Sequence, residues 1–461
     1  MIGFLVEGAV AVGIRRSDLL VPRWMSGASG RRRGLGRGLM LLVVFGVVAL
    51  SASTAGVARA GSPTIVTLAF DDSLANQYQV RTMLSDRSMH ATFFVNSGRV
   101  GTSGYLTVSQ LQSLQGDGNE VAGHTVNHLD LTTVDTAEQQ RQVCDDRSTL
   151  LGWGLNATDF AYPFGAANAG IEGVVQACGY NSGRGLGGIS CAGCPPAETV
   201  PPADPYLIRT PDAILASTSL SDIEGEVAQA EQAGGGWVIL VMHNVCDGCG
   251  TYAISPSTLS ALLDWLAGQS TVVVKTVHDV IGGAQQPAVA GPPPPPPITN
   301  GQMLQNPSLE TDTNGDGLPD CWQLAASGTN TATWTRTTDA HTGSFAERVD
   351  VTSYTSGITR LQSQRDMGFC APSAIPGHMY KASVWYKGTA QPRLTVFYRT
   401  STGTWKSLAQ STFFAKRSGW TQATWTTPAL PSGATGIELG LAVASSGSVT
   451  MDDFSLTDAT G

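Results

Sequence analysis

Between residues 64 and 283, short continuous apolar runs alternate with longer stretches in which apolar side chains recur every three or four positions. Thr64–Phe70 (TIVTLAF), Ala91–Val95 (ATFFV) and Trp237–Met242 (WVILVM) read as buried strands, and Thr271–Lys275 supplies a further strand. Helical spacing predicts helices over Asn76–Arg87, Ser109–Gln115, Ala137–Leu151, Ile171–Cys178, Asp222–Ala233 and Pro256–Ala267. The alternation predicts an α/β domain built on a parallel sheet or barrel. In such a barrel, chemistry collects at the C-terminal ends of the strands.

The pattern changes after Gly291, where Pro292–Pro297 predict an extended polyproline rod of about 3 Å per residue, acting as a semi-rigid spacer. Beyond it, short alternating runs such as Tyr380–Tyr386, Arg393–Tyr398 and Thr421–Thr426 predict an all-β sandwich. The expected organisation is an export segment over 1–60, an α/β domain over 62–283, a Pro-rich linker over 284–299 and a sandwich over 300–461. A chain of 461 residues, 42% of them hydrophobic, is long enough for two such cores.

The export reading rests on Arg15, Arg16, Arg23, Arg31, Arg32, Arg33 and Arg37, followed by the apolar run Leu39–Leu50 and then Ala58-Arg59-Ala60. Translation beginning at Met25 or Met40 would keep that signal whole. The apolar run falls short of the roughly 20 residues that span a bilayer, so no stable membrane insertion is expected after cleavage, and the chain is expected to be extracellular. Without residues 1–60 the chain carries 19 basic and 34 acidic side chains, a net charge of −15 that disfavours nucleic acid as a partner. No protein partner is indicated. Export also implies that the eight cysteines form disulfides. Cys191-x-x-Cys194 and Cys246-x-x-Cys249 are therefore read as loop braces rather than a zinc site, with Cys321 and Cys370 paired in the sandwich.

Titratable residues are read at three successive strand ends: Asp71 and Asp72 after the first apolar run, His124 further along, and His243 after the run ending at Met242. His124 and His128 are four apart, the spacing that puts two imidazoles on one face of a helical turn. Two neutral imidazoles and a carboxylate make a three-ligand site that leaves a position open for water. Such a cation activates water and polarises a carbonyl, which suits hydrolysis of an amide or ester.

These motifs resemble the polysaccharide deacetylase family, also called NodB-homology or carbohydrate esterase family 4, over about residues 62–283. The family's F-D-D stands as Phe70-Asp71-Asp72, and its H-[ST]-x-x-H as His124-Thr125-Val126-Asn127-His128. The resemblance implies a distorted (β/α) barrel with Asp71 as general base, and Asp72, His124 and His128 as ligands of a divalent metal, zinc or cobalt. It also implies His243, closing Leu240-Val241-Met242-His243, as the acid that protonates the leaving amine.

The family's usual R-P-P-Y-G is Ala161-Tyr162-Pro163-Phe164-Gly165 here, so the Arg that orients the base is missing from its place; Arg209 or Arg184 are the substitutes to test. The backbone N–H near Phe164 is the candidate oxyanion donor. The family's Asp-Trp motif is also absent, leaving Asp212 and Asp222 as stand-ins behind His243.

In the sandwich, Asn306–Glu310 and Met451–Phe454 resemble the jelly-roll carbohydrate-binding modules attached to glycan-degrading enzymes. Asp312, Asn314, Asp316 and Asp320 place oxygen ligands around glycine turns, an expected structural Ca²⁺ loop. Taken together, the expected function is deacetylation of an N-acetylated polysaccharide such as chitin or peptidoglycan. The alternatives are O-acetyl esterase action on xylan, or glycan binding by a chain whose catalysis has decayed.

Overall fold

The computed structural model describes residues 63–460; the export segment and its cleavage site lie outside the described residues. The first domain is a nearly closed parallel barrel. Its strands are β1 (Thr64–Phe70), β2 (Thr92–Val95), β3 (Glu120–Gly123), β4 (Asp159–Ala161), β5 (Ser182–Gly188), β6 (Ile208–Thr210) and β7 (Gly236–Met242). They run in the order β6-β5-β4-β3-β2-β1-β7. After the short pair β8 (Asn244–Val245) and β9 (Ala253–Ile254), β10 (Val272–Val274) joins the lower half of β1. The open seam is bridged by Ile214 N–H donating to Val241 O at 2.9 Å and by an antiparallel bridge between Glu198 and Trp237.

Strand side chains alternate between two apolar layers. Val66, Leu68 and Phe70 of β1 and Val238, Leu240 and Met242 of β7 pack outward on the helices, while Ala69, Trp237, Ile239 and Val241 fill the barrel with Phe94 and Ala161. Burial on both faces is why these runs read as continuously apolar. Inside, the Trp237 indole N–H donates to Thr67 Oγ1 at 2.9 Å, satisfying both buried groups.

The outer helices are α1 (Val80–Ser85), α2 (Val108–Gly116), α3 (Thr136–Gln140), α4 (Asp146–Gly152), α5 (Ala169–Ala177), α6 (Leu220–Gln232), α7 (Pro256–Gly268) and α8 (Val277–Ile281). Two predicted helices differ in detail. The segment expected over 76–87 opens as a 3₁₀ turn, Ala75–Gln79, and the one expected over 137–151 is split by a π-helical turn, Arg141–Asp145. Strands β3 to β6 escaped the apolar pattern because they are three to seven residues long and β5 reads SGRGLGG.

The second domain packs two five-stranded antiparallel sheets face to face. One holds β11 (Trp322–Ser327), β14 (Ile358–Ser363), β19 (Ala434–Val443), β16 (Pro392–Thr400) and β17 (Trp405–Gln410). The other holds β12 (Asn330–Thr337), β13 (Ala346–Tyr354), β20 (Gly447–Asp458), β15 (Tyr380–Gly388) and β18 (Arg417–Thr426). Their inner faces share one core that includes Val349, Leu361, Tyr380, Val384, Leu394, Leu439 and Phe454.

The linker is fastened to the barrel domain ahead of its proline run. Arg147 donates to Gln286 O at 2.7 Å and Pro287 O at 2.9 Å, Ser148 Oγ to Val289 O at 2.9 Å, and Gly291 N–H to Asp145 Oδ1 at 2.7 Å. A Cβ on Gly291 would come within 2.7 Å of the Arg141 backbone, so the chain lies flat on the π turn there. Further along, Pro294 and Pro295 pack on Gly368 of the sandwich.

Candidate active site

β1 and β7 pair in register along seven residues, from Thr64–Gly236 to Phe70–Met242. Asp71 and His243 therefore leave the barrel side by side, and Asp71 N–H donates to Met242 O at 2.9 Å. Fully buried Gln77 ties the two turns together, its amide donating to Asp71 O at 2.5 Å and His243 O at 3.0 Å. Sequence reasoning passed over Gln77; its signal is a polar residue on the inward side of an otherwise ordinary helical run.

The five-residue stretch from His124 to His128 is a loop after β3, not the helical turn its spacing suggested. Thr125 and His128 have φ of 69° and 60°, and Asp72, Ser73 and Phe164 share the left-handed region at 75°, 54° and 60°. Each such residue costs on the order of 1–3 kcal/mol, and so many converging on one place mark a site whose surroundings enforce the turns. The enforcement is visible. Asn96 Nδ2 donates to His124 O and to Thr125 O, the latter at 3.3 Å, and His128 N–H donates to Thr125 Oγ1 at 2.9 Å. Buried Asp146 accepts His124 N–H at 3.1 Å and Ser97 N–H at 2.9 Å, and burial pushes its carboxyl up to about 7.

The result brings Asp72, His124 and His128 together, with one ligand atom from each lying within 4.8 Å of the others. His124 Nδ1 lies 2.8 Å from Ala161 O; a carbonyl only accepts, so Nδ1 carries the proton and Nε2 keeps its lone pair for a cation. Asp72 Oδ1 is 3.1 Å from His128 Nε2 and 3.8 Å from His124 Nε2, yet it is buried and makes no hydrogen bond. Burial pushes His128 down to about 3 and His124 below its ordinary value as well. For Asp72, burial acts upward, but His128, Arg99 and His124 outweigh it and hold the carboxyl below its usual range. Neutral imidazoles around an ionised, unsatisfied carboxylate oxygen are the donor set a divalent cation requires, so the residues fit such a group.

Behind the triad, an Arg184 nitrogen lies 2.7 Å from each Asp71 oxygen, with both side chains buried. The guanidinium also sits 4.7 Å over the Phe94 ring. Burial alone would raise Asp71; Arg184, then His124 and His243, outweigh it and hold the carboxyl low. Arg184 on β5 is the direct register partner of Ala161 on β4. The cation missing from position 161 thus enters from the next strand at the same height. Arg209, the other substitute considered, is committed to Glu198 through two contacts of 2.8 Å.

His243 has no carboxylate behind it: among the described residues its Nδ1 is buried without a hydrogen-bond partner. Asp222 instead caps α6, accepting Ser219 N–H at 3.0 Å and Oγ–H at 2.6 Å, and Asp212 lies against Gly187. Neither stand-in is used. Beside His243, the exposed Tyr252 ring lies at 5.2 Å, and Phe164, 65% exposed, packs edge-on to His128 at 4.7 Å. Arg99, which the sequence did not single out, stands 3.8 Å from Asp72 Oδ1.

The cysteines pair as Cys144–Cys178, Cys191–Cys194, Cys246–Cys249 and Cys321–Cys370. The third closes the loop that follows His243, where Asn76 Nδ2 donates to Cys246 Sγ at 3.4 Å and Asn244 Oδ1 at 2.9 Å.

In the loop expected to hold calcium, the side chains accept the loop's own N–H groups. Asp312 accepts N–H from Gly315 and Gly317 at 2.9 and 3.2 Å, Asp316 accepts Leu318 N–H at 2.8 Å, and Asp320 accepts Thr313 N–H at 3.0 Å. Asn314 Nδ2 donates to Asp316 at 3.0 Å. The side chains close the loop's own turns, and the acidic groups do not converge as Asp72, His124 and His128 do.

With the fold and site in view, comparison defines what the chain resembles: residues 58–183 match the model of the polysaccharide deacetylase family. Among named relatives, the Bacillus subtilis protein YxkH, a candidate polysaccharide deacetylase, is 27% identical over 124 residues, 26% of this chain and 44% of that protein. A peptidoglycan-N-acetylglucosamine deacetylase of Bacillus cereus is 27% identical over 120 residues, 26% of this chain and 54% of that protein. The chain thus spans about half the length of the curated relatives it matches. A solved peptidoglycan deacetylase from Bacillus subtilis is similar at 18% identity, covering 47% of this chain and 90% of that one with a TM-score of 0.31.

Proposed function

We propose that this chain is a secreted, cation-dependent deacetylase of an acetylated polysaccharide, with N-acetylglucosamine units of chitin or peptidoglycan as the substrate class. The observation that carries the reading is the unsatisfied Asp72 Oδ1 facing two neutral imidazoles, next to an Asp71 clamped by Arg184. A divalent cation held by Asp72, His124 and His128, zinc or cobalt, supplies Lewis acidity to a water and to the acetyl carbonyl oxygen.

The chain's own residues do the rest. Asp71, held ionised by Arg184, accepts the proton of the attacking water on a carboxylate oxygen. His243 delivers a proton to the departing nitrogen. The backbone at Phe164 remains the candidate donor to the oxyanion, and the exposed rings of Phe164 and Tyr252 offer faces to a sugar ring. Secretion is supported by four paired disulfides, which persist in oxidising compartments.

The test is acetate release from a panel of purified glycans, with and without a chelator. Release from N-acetylated glycans that stops on chelation and returns with Zn²⁺ supports the proposal. Release unaffected by the chelator, or confined to O-acetylated xylan, overturns it.

A further inference from the structure

Two main-chain groups of the sandwich and three side chains of the barrel domain form a closed hydrogen-bonded circuit around the His124–His128 loop. Met367 N–H, in the sandwich, donates to Glu138 Oε1 at 2.7 Å. The same oxygen accepts Gln142 Nε2 at 2.8 Å, and Gln142 Nε2 also donates to Asn127 Oδ1 at 3.0 Å. Asn127 N–H donates to Gln142 Oε1 at 2.9 Å, and Asn127 Nδ2 donates to Gly403 O, back in the sandwich, at 3.0 Å. Glu138 and Gln142 are fully buried. The links to Glu138 are therefore made away from water, where an unmade one is expensive, and those of half-buried Asn127 border on it.

The packing follows the same path. Val126 N–H donates to Gln142 O at 3.0 Å, and its side chain, 1% exposed, lies where a Cβ on Gly403 would come within 2.4 Å of it and 2.9 Å of Met367 Sδ. Gly403 is thus wedged between the ligand loop and the sandwich's own Met367. Val126 and Asn127 lie between the two histidines, and Asn127 immediately precedes His128. The left-handed turns at Thr125 and His128 need such support, since an isolated loop would not hold them.

We propose that the sandwich is a positioning part of the cation site: the turn at 400–404 and the segment at 366–368 hold the loop that presents His124 and His128. Cation affinity and turnover of a short soluble substrate then depend on how the sandwich docks, apart from any polymer it binds. This rests on the reading of Asp72, His124 and His128 as a cation site.

The test uses the full chain and measures Zn²⁺ affinity by competition with a chromogenic chelator, so that no activity is needed. Gly403→Ala drives a methyl into Val126, whereas Gly433→Ala carries the same left-handed strain, φ 80° against 77°, with nothing within 4 Å of its Cβ. Gly403→Ala should weaken Zn²⁺ binding about tenfold, in the range seen when groups supporting metal ligands are removed, with Gly433→Ala unchanged. Asn127→Ala should weaken it similarly, and the double variant Asn127→Ala/Gly403→Ala no more than the worse single, because both cut one circuit. If Gly403→Ala does not fold, Asn127→Ala carries the test alone. Parent-like Zn²⁺ affinity in the folded Gly403→Ala or Asn127→Ala chain overturns this inference alone. A parent that binds no Zn²⁺, or binds it equally well as Asp72→Ala, overturns the cation-site reading and this inference with it.

Discussion

Ala161 and Arg184 are register partners on adjacent strands, and between them they orient both halves of the site. The Ala161 carbonyl fixes the tautomer of His124, and the Arg184 guanidinium holds Asp71. Because partners across a parallel ladder point to the same face, an arginine can serve Asp71 from either position.

Arg184→Ala leaves a buried carboxylate without its partner, which should cost about 3–5 kcal/mol of stability. Loosening the base should lower kcat on the order of a hundredfold. Adding Ala161→Arg to that variant should recover at least about tenfold of the loss, read as acetate release. No recovery in a folded double variant would separate the two positions.

Cation binding should stabilise the fold. At free Zn²⁺ a hundredfold above its dissociation constant, the gain should be about 2.7 kcal/mol, seen as a raised unfolding midpoint. Asp72→Ala should remove that gain, so that its midpoint no longer rises with added metal.

His243 is assigned to the leaving group, so its loss should matter in proportion to how poorly that group leaves. His243→Gln should lower acetamide hydrolysis by roughly 10²–10⁴-fold, but hydrolysis of nitrophenyl acetate less than about tenfold, because nitrophenolate departs without a proton. Equal losses on both substrates would move His243 out of the acid role.

The domain junction should make stability depend on pH. Burial, then the nearby Glu138, push Asp366 up to about 7 from an ordinary value of 3.8, against hydrogen bonds from Gly368, Cys370 and Ala371; Arg399 and Arg141 are the neighbouring cations. The folded chain then holds a proton that the unfolded chain releases near pH 4. This group's contribution is therefore full at pH 4, falls as pH rises toward about 7, and is level above. Denaturant midpoints at pH 5 and pH 8 should differ less in Asp366→Asn than in the parent.

The apolar runs of β1 and β7, and the Asp and His residues closing them, were legible because a strand buried on both faces leaves a plain signature and its end marks the site. The spacing of His124 and His128 was legible too, but for the wrong reason: they converge through left-handed turns held by Asn96 and Asp146, not through a helix. Arg184 could be named only as one of two possibilities, since strand register is a tertiary fact and β5 hides in a glycine-rich segment. The fastening of the linker ahead of its proline run was not legible, because Asp145 and Arg147, which hold Gly291 and Pro287, lie more than a hundred residues away. At 312–320 the alternating Asp and Asn residues cap turns, a role the same sequence pattern serves as readily as it serves ions.

The seven-residue ladder between β1 and β7 has a consequence for how such a chain can diversify. Asp71 and His243 are set by one strand pairing, although 171 residues separate them in the chain. Insertions and exchanges in the loops between them can reshape the surroundings of the two side chains without altering their spacing, so on the proposed reading new substrates are open to selection while acid and base stay in place.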